Sequence, residues 1–160
     1  MLPSLISAMM SYFGDTALSQ HAIKAYAYAN CIAMGENLPE NEQLVLCAAA
    51  VLHDIGIPNA IKLHGSPKGE FQEKEGALLV PGVLESAGIS GITERVSWLV
   101  GHHHTKELAQ SDILLQILME ADYLVNLAEG NHTKDKAIEV RDSFFKTKTG
   151  KDFISSLFSI

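Results

Sequence analysis

The chain has 160 residues, 47% of them hydrophobic and 19% charged, with a formal net charge of -7. That length fits a single domain able to bury its own core, and the composition excludes an intrinsically disordered chain. The negative charge disfavours a nucleic-acid polymer or an anionic membrane as partner, since both select basic surfaces, but a bound cation can still draw in a small anionic substrate.

Helical periodicity recurs along the chain and no period-2 strand pattern is visible. A first helix is predicted from about Pro3 to Phe13, with Pro3 in its first turn and Gly14 at its C-terminal cap. The opening stretch is apolar but has no basic residues before it, so it reads as a helix and not as a signal peptide. A second helix starts after Asp15 or Thr16, either of which can cap it, and ends near Gly35. A third runs from about Pro39 to His53. Its segment Leu44 to Leu52 is unbroken apolar sequence, the pattern of a helix buried on all sides, and Gly56 and Pro58 are read as stop signals. Asn59 to Gly69 is expected to be a loop.

A helix from about Glu70 to Ser86 follows, which Pro81 should kink or split. Further helices are predicted over Ile92 to His103, Ile113 to Leu127 and Lys134 to Phe145, with a short one between Lys151 and Ile160. The expected fold is all-α, an irregular helical bundle in one domain over residues 1–160, its motif-bearing part about 15–128 and its core the Leu44–Leu52 helix. No apolar run approaches the roughly 20 residues of a membrane span. Cys31 and Cys47 lie in apolar helical runs and read as packing residues; they form neither a metal-type pair nor a disulfide framework, and a reducing cytoplasm is the expected location.

Four polar positions interrupt this apolar plan. Asp122 shares a helical stripe with Leu114, Leu118 and Val125. A buried carboxylate is costly unless it meets a cation or several donors, such as backbone amides. His21 sits among Leu18, Ala25 and Ile32, where a hydrogen-bonded core histidine is the alternative to a metal ligand. His53 and Asp54 end the most hydrophobic run, at a helix terminus whose carbonyls favour a cation. His102, His103 and His104 end another helix; they form either a solvated run or part of a site. One metal site satisfies all these groups together.

The order His21 … His53-Asp54 … Asp122 resembles the signature of the HD-domain superfamily. The segments LCAAAVLHDIG, VSWLVGHHHT and LMEADYLVN match its surroundings, and the resemblance covers about Ser19 to Asn126. It implies a helical fold, a divalent metal held by His21, His53, Asp54 and Asp122, and phosphoester hydrolysis. Members with two metals add histidines, matched best by His103 and His104, with His102 a register alternative. The cyclic-dinucleotide phosphodiesterase branch carries a His four residues before a Gly-Ala pair. Here Gln72 precedes Gly76-Ala77, and the Gly-Tyr-Pro hallmark is absent, which argues against that branch. A second metal then depends on Glu73 or Glu75 replacing the missing ligand, or both are simply solvated.

The expected function is metal-dependent hydrolysis of a small phosphorylated metabolite or nucleotide. Asp54, His103, His104 and Glu73 are the candidate catalytic residues. The mixed His and carboxylate shell suits Mn, Fe, Co, Ni or Zn better than Mg. Asp54 is placed to bridge two ions if a second binds. Lys62, Lys68 and His64, around the Gly-rich segment after the His-Asp pair, are candidate substrate contacts. Two rivals remain: a di-iron oxygenase on the same fold, and a non-catalytic binding module that retains the metal.

Overall fold

The computed structural model describes all 160 residues as ten helices without a strand. Helix α1 spans Leu2–Phe13 and ends on Gly14, whose φ of 55° suits a glycine. Helix α2, Thr16–Gly35, is capped by Asp15, whose carboxylate accepts the Leu18 N–H at 2.8 Å. Helix α3 spans Glu40–Leu52, and every residue from Val45 to Leu52 is buried. It packs against α1 and α2, and against α6 (Thr93–Val100) and α8 (Ile113–Glu129). A helix surrounded in this way has no face left for charge, which explains its unbroken apolar run.

The segment after α3 corrects the expectation of a loop. Ile57–His64 forms helix α4, closed by Gly65 at φ 67°. Gly56 and Pro58 do stop α3, but proline in a first turn also starts a helix, because the N–H it lacks has no helical partner there. Pro81 does not split the following element: α5 runs unbroken over Gly69–Ser86, with Pro81 exposed. The expected helix to His103 stops at Val100. Residues Gly101 to His104 form a turn, followed by the short α7, Lys106–Ala109. Asp112 then caps α8 by accepting the N–H groups of Leu114 and Leu115. Helices α9 (Lys134–Ser143) and α10 (Lys148–Phe158) close the chain, the latter starting three residues before the expected tail helix. No single helix is long and apolar enough to cross a membrane.

Two contacts fix the parts that carry the candidate site. The large surface between α2 and α8 sets their polar stripes face to face. The turn after α3 is locked against α5 by Gly56: a Cβ there would stand 2.2 Å from Gln72 O and 2.5 Å from Gly76 N. Both neighbours are backbone and cannot swing aside. Two residues before Asp122 on another face of α8, buried Glu120 accepts the N–H groups of Lys146 and Thr147, the Thr147 hydroxyl and the Gln116 amide, so this charge is not left without a partner.

Gly56→Ala should therefore force α4 from α5 and lower stability by about 1–3 kcal/mol, the usual range for overpacking. Gly82→Ala is the control: it is helical, with nothing within 4 Å of the added Cβ, and should be neutral or stabilising by roughly 0.5–1 kcal/mol. Urea unfolding of the two variants beside the wild type measures both, and equal stabilities would show that this close approach is not needed.

Candidate metal centre

Four elements deliver the expected ligands to one place. His21 comes from α2, His53 and Asp54 from the end of α3 and the turn beyond it, and Asp122 from α8. His21 Nε2 lies 3.0 Å from Asp122 Oδ1, 3.3 Å from His53 Nε2 and 3.5 Å from Asp54 Oδ2. His53 Nε2 lies 3.4 Å from Asp54 Oδ2 and 3.5 Å from Asp122 Oδ1. Both rings are buried and both carboxylates nearly so.

The other ring nitrogens decide what these distances mean. His53 Nδ1 lies 2.8 Å from Ala50 O. A carbonyl only accepts, so Nδ1 carries the hydrogen, and in the neutral ring Nε2 is a lone pair. His21 Nδ1 lies 2.9 Å from Glu129 Oε2, with the same consequence. His103 Nδ1 lies 2.7 Å from Val100 O, and its Nε2 is buried with no hydrogen-bond partner, 3.7 Å from Asp54 Oδ1. Lone pairs and carboxylate oxygens thus converge with no hydrogen among them, an arrangement that requires protons or a metal ion at its centre. The spacing fits an ion: donors about 2.1 Å from one metal stand about 3.0 Å apart at a right angle and about 3.4 Å apart at the tetrahedral angle. Asp54 faces both halves of the cluster, Oδ2 towards His21 and His53 and Oδ1 towards His103.

His104 approaches from the far side and groups with Asp54 and His103 as a second set of possible ligands. Its tautomer is set by Gln72. The Gln72 amide donates to Pro67 O at 2.6 Å, so its oxygen faces His104 Nε2 at 3.1 Å and Nδ1 is left as the lone pair. Gly69 makes room for this ring, since a Cβ there would come within 3.0 Å of it. His102 turns away, bonded to Trp98 O and stacked on the Trp98 ring, whereas His103 and His104 group with Asp54.

The remaining candidates lie elsewhere. Glu73 accepts the His104 N–H at 2.8 Å and the Thr105 hydroxyl at 3.1 Å, holding the turn that carries the histidines. Glu75 is buried against His64 at 2.9 Å, and His64 stacks on Phe71. Lys62 and Lys68 are exposed and line neither cleft that opens onto the cluster. Sequence reasoning missed two α8 residues that support the cluster. Asn126 donates to Asp122 Oδ1 at 2.8 Å, and Glu129 orients His21 while pairing with Lys24 at 3.0 Å. Their spacing of four and seven from Asp122 puts all three on one helix face, a signal present in the chain.

Protons compete with an ion for the centre of the cluster. Burial is the largest influence on His53 and opposes its charge, but Asp54 and then Asp122 outweigh it and hold the ring well above the ordinary histidine range. His21 is raised too, burial being outweighed by its hydrogen bonds to Asp122 and Glu129. Burial alone would raise the acids; the charge of His53 instead holds Asp54 well below the usual carboxylate range, and hydrogen bonds from His21 and His53 lower Asp122.

For the histidines the folded values exceed the unfolded one, so their contribution is complete below about pH 6.5 and fades as pH rises through the raised values. The depressed acids contribute above about pH 4 and fade only as pH falls towards their lowered values. Metal binding displaces the histidine protons and grows stronger with pH. Saturating metal should therefore raise Tm more at pH 8.5 than at pH 6, as scanning calorimetry of chelated and loaded protein would show; an equal increment at both would mean that metal and proton do not compete here. Glu129→Ala should weaken metal binding about 10- to 100-fold by titration calorimetry, the usual cost of losing a carboxylate behind a ligand histidine.

Comparison with known proteins gives one clear relationship. The family model described as HD domain matches residues 18–127, well over half of the chain. No curated protein and no solved structure matches. That family is one of metal-dependent phosphohydrolases, and the buried His and Asp groups of this chain are compatible with a divalent metal. The matched residues contain every member of the cluster from His21 to Asp122, and the chain belongs to the HD-domain family.

Proposed function

We propose that the protein is a metal-dependent phosphohydrolase acting on a small phosphorylated metabolite or nucleotide. The observation that carries this reading is the set of imidazole Nε2 atoms, each with its Nδ1 engaged elsewhere, that converge with Asp54 and Asp122 beside an open cleft. The cleft has a volume of about 330 Å³, and His21, Asp54, His104 and Asp122 line it. A purely structural metal site is closed by its ligands, whereas a catalytic one keeps a position for water or substrate.

His21, His53, Asp54 and Asp122 would hold the first ion. A divalent ion there lowers the pKa of a bound water and polarises the phosphoryl oxygen. The donor set of imidazole and carboxylate suits Mn, Fe, Co, Ni or Zn. Asp54 presents its second oxygen to the His103 and His104 side. These two histidines would either complete a second metal position, with Asp54 as the bridge, or move a proton to the leaving oxygen. Gln72 and Glu73 serve by position: one fixes the His104 tautomer and the other holds its backbone. Asn126 and Glu129 keep Asp122 and His21 from turning.

The test is phosphate release from a panel of nucleotides and sugar phosphates by protein reconstituted with Mn, Co or Ni. Asp54→Ala should abolish turnover while the far-UV circular dichroism stays helical. Asp54 lies in a turn, where Ala introduces no clash, but its loss removes a ligand charge, and a misplacement near 1 Å already costs about a hundredfold in rate. A folded Asp54→Ala variant of near-normal activity would overturn the hydrolase reading. Oxygen consumption by iron-loaded wild type without phosphate release would assign the site to the oxygenase chemistry instead.

A further inference from the structure

Two clefts meet at the cluster, and they differ in charge. The larger is walled by Ala17, Leu18 and Ile57, carries Glu129, and has no Lys or Arg among its lining residues. The smaller, about 160 Å³, lies between the His103–His104 turn and α8, and Lys106 is the one Lys or Arg in its lining. His104, Asp122 and Asn126 border both.

Lys106 is exposed but not unplaced. Its Nζ stands 5.2 Å from the centre of the Tyr123 ring and 5.8 Å from that of Phe144. Attraction of an ammonium to aromatic faces holds it beside the cleft without neutralising it. The Lys and Arg ion pairs of the protein all involve other residues, so this charge is uncommitted. A dianionic phosphate approaching Asp54 and Asp122 meets two carboxylates, and an uncommitted cation at the rim of the same cleft offsets that repulsion.

We propose that Lys106 receives the phosphate of a phosphomonoester, whose alcohol part lies in the larger cleft. This deepens the phosphohydrolase reading and rests on it. In the reaction, water oxygen bonds to phosphorus, the ester P–O bond breaks, and the leaving oxygen takes the proton that water gives up. The larger cleft offers apolar walls and polar side chains to an uncharged alcohol such as a nucleoside or polyol. A second phosphate there would find no Lys or Arg lining the cleft, and the nearby Lys24 is already committed to Glu129, so monophosphates are favoured over di- and triphosphates.

The experiment is titration calorimetry of inorganic phosphate into the Mn-loaded full chain, comparing wild type, Lys106→Ala, Lys106→Arg and Lys151→Ala, a change at an exposed α10 residue that lines neither cleft. Phosphate should bind wild type, weaken about tenfold in Lys106→Ala, and be restored in large part by Lys106→Arg, with metal content and Lys151→Ala unchanged. Unaltered binding in Lys106→Ala, or no binding to wild type, overturns the proposal. A companion series compares adenosine monophosphate with adenosine diphosphate. Tighter binding of the diphosphate overturns the assignment of the larger cleft to an uncharged alcohol. Lys106-dependent phosphate binding in a protein that hydrolyses no phosphoester would retain the anion site and discard the hydrolase reading, so the two failures are distinguishable. Where turnover is measurable, Lys106→Ala should raise KM for the monophosphate about tenfold and leave kcat within a few-fold.

Discussion

The Nδ1 hydrogens of His21, His53 and His103 are all engaged outside the cluster, on Glu129, Ala50 and Val100. That leaves the Nε2 lone pairs pointing at one another and at two carboxylates. Without a positive charge between them they would repel, a cost set against the apolar packing that holds the same helices together. Protons meet the need in part, as the raised His21 and His53 show. They fail as pH rises, and His103 Nε2 stays buried and unpartnered even so. The groups are compatible with a divalent ion among His21, His53, Asp54 and Asp122, and Asp54, His103 and His104 form a second set beside it.

The rest of the fold serves this convergence. From Val45 to Leu52 helix α3 carries only buried residues without charge, so that the turn bearing His53 and Asp54 starts from the core of the molecule. The α2–α8 contact brings His21 to Asp122, and Gly56 holds the turn after Asp54 against α5. Helix α5 in turn sends Gln72 and Glu73 to the His103–His104 turn. The two clefts then expose the cluster from opposite sides of His104 and Asp122, one apolar and acidic, the other bordered by an uncommitted lysine.

Much of this was legible in the chain because a polar residue in an apolar helical stripe demands a partner. Asp122 among leucines and His21 between Leu18 and Ala25 declared themselves, and the apolar run into His53 marked the central helix. The missed elements share a different cause. Helix α4 was hidden because Gly56 and Pro58 end one helix and begin the next, a dual use that local signals do not separate. Pro81 sits on an exposed face, where the backbone hydrogen bond it cannot make is lost without dividing α5. Glu73 stands beside a family ligand position and so reads as a catalytic candidate, but a glutamate bound to a backbone N–H leaves no distinctive mark in sequence. Closeness along the chain to the His-Asp pair points to Lys62 and Lys68 and not to Lys106, because it does not measure closeness in space. Only the packing of α8 beside the His turn brings Lys106 to the cleft.

The most direct measurement is nitrogen-15 NMR of the imidazoles in protein labelled at histidine and loaded with zinc, compared with the chelated form. His21, His53 and His103 should each show a protonated Nδ1 throughout, and the Nε2 resonances of His21 and His53 should move to metal-coordinated positions when zinc is added. His102, bonded to Trp98 O and stacked on its ring, should not move. Nε2–H tautomers at His21 and His53, or resonances unaffected by zinc, would contradict the claim that these lone pairs converge on an ion.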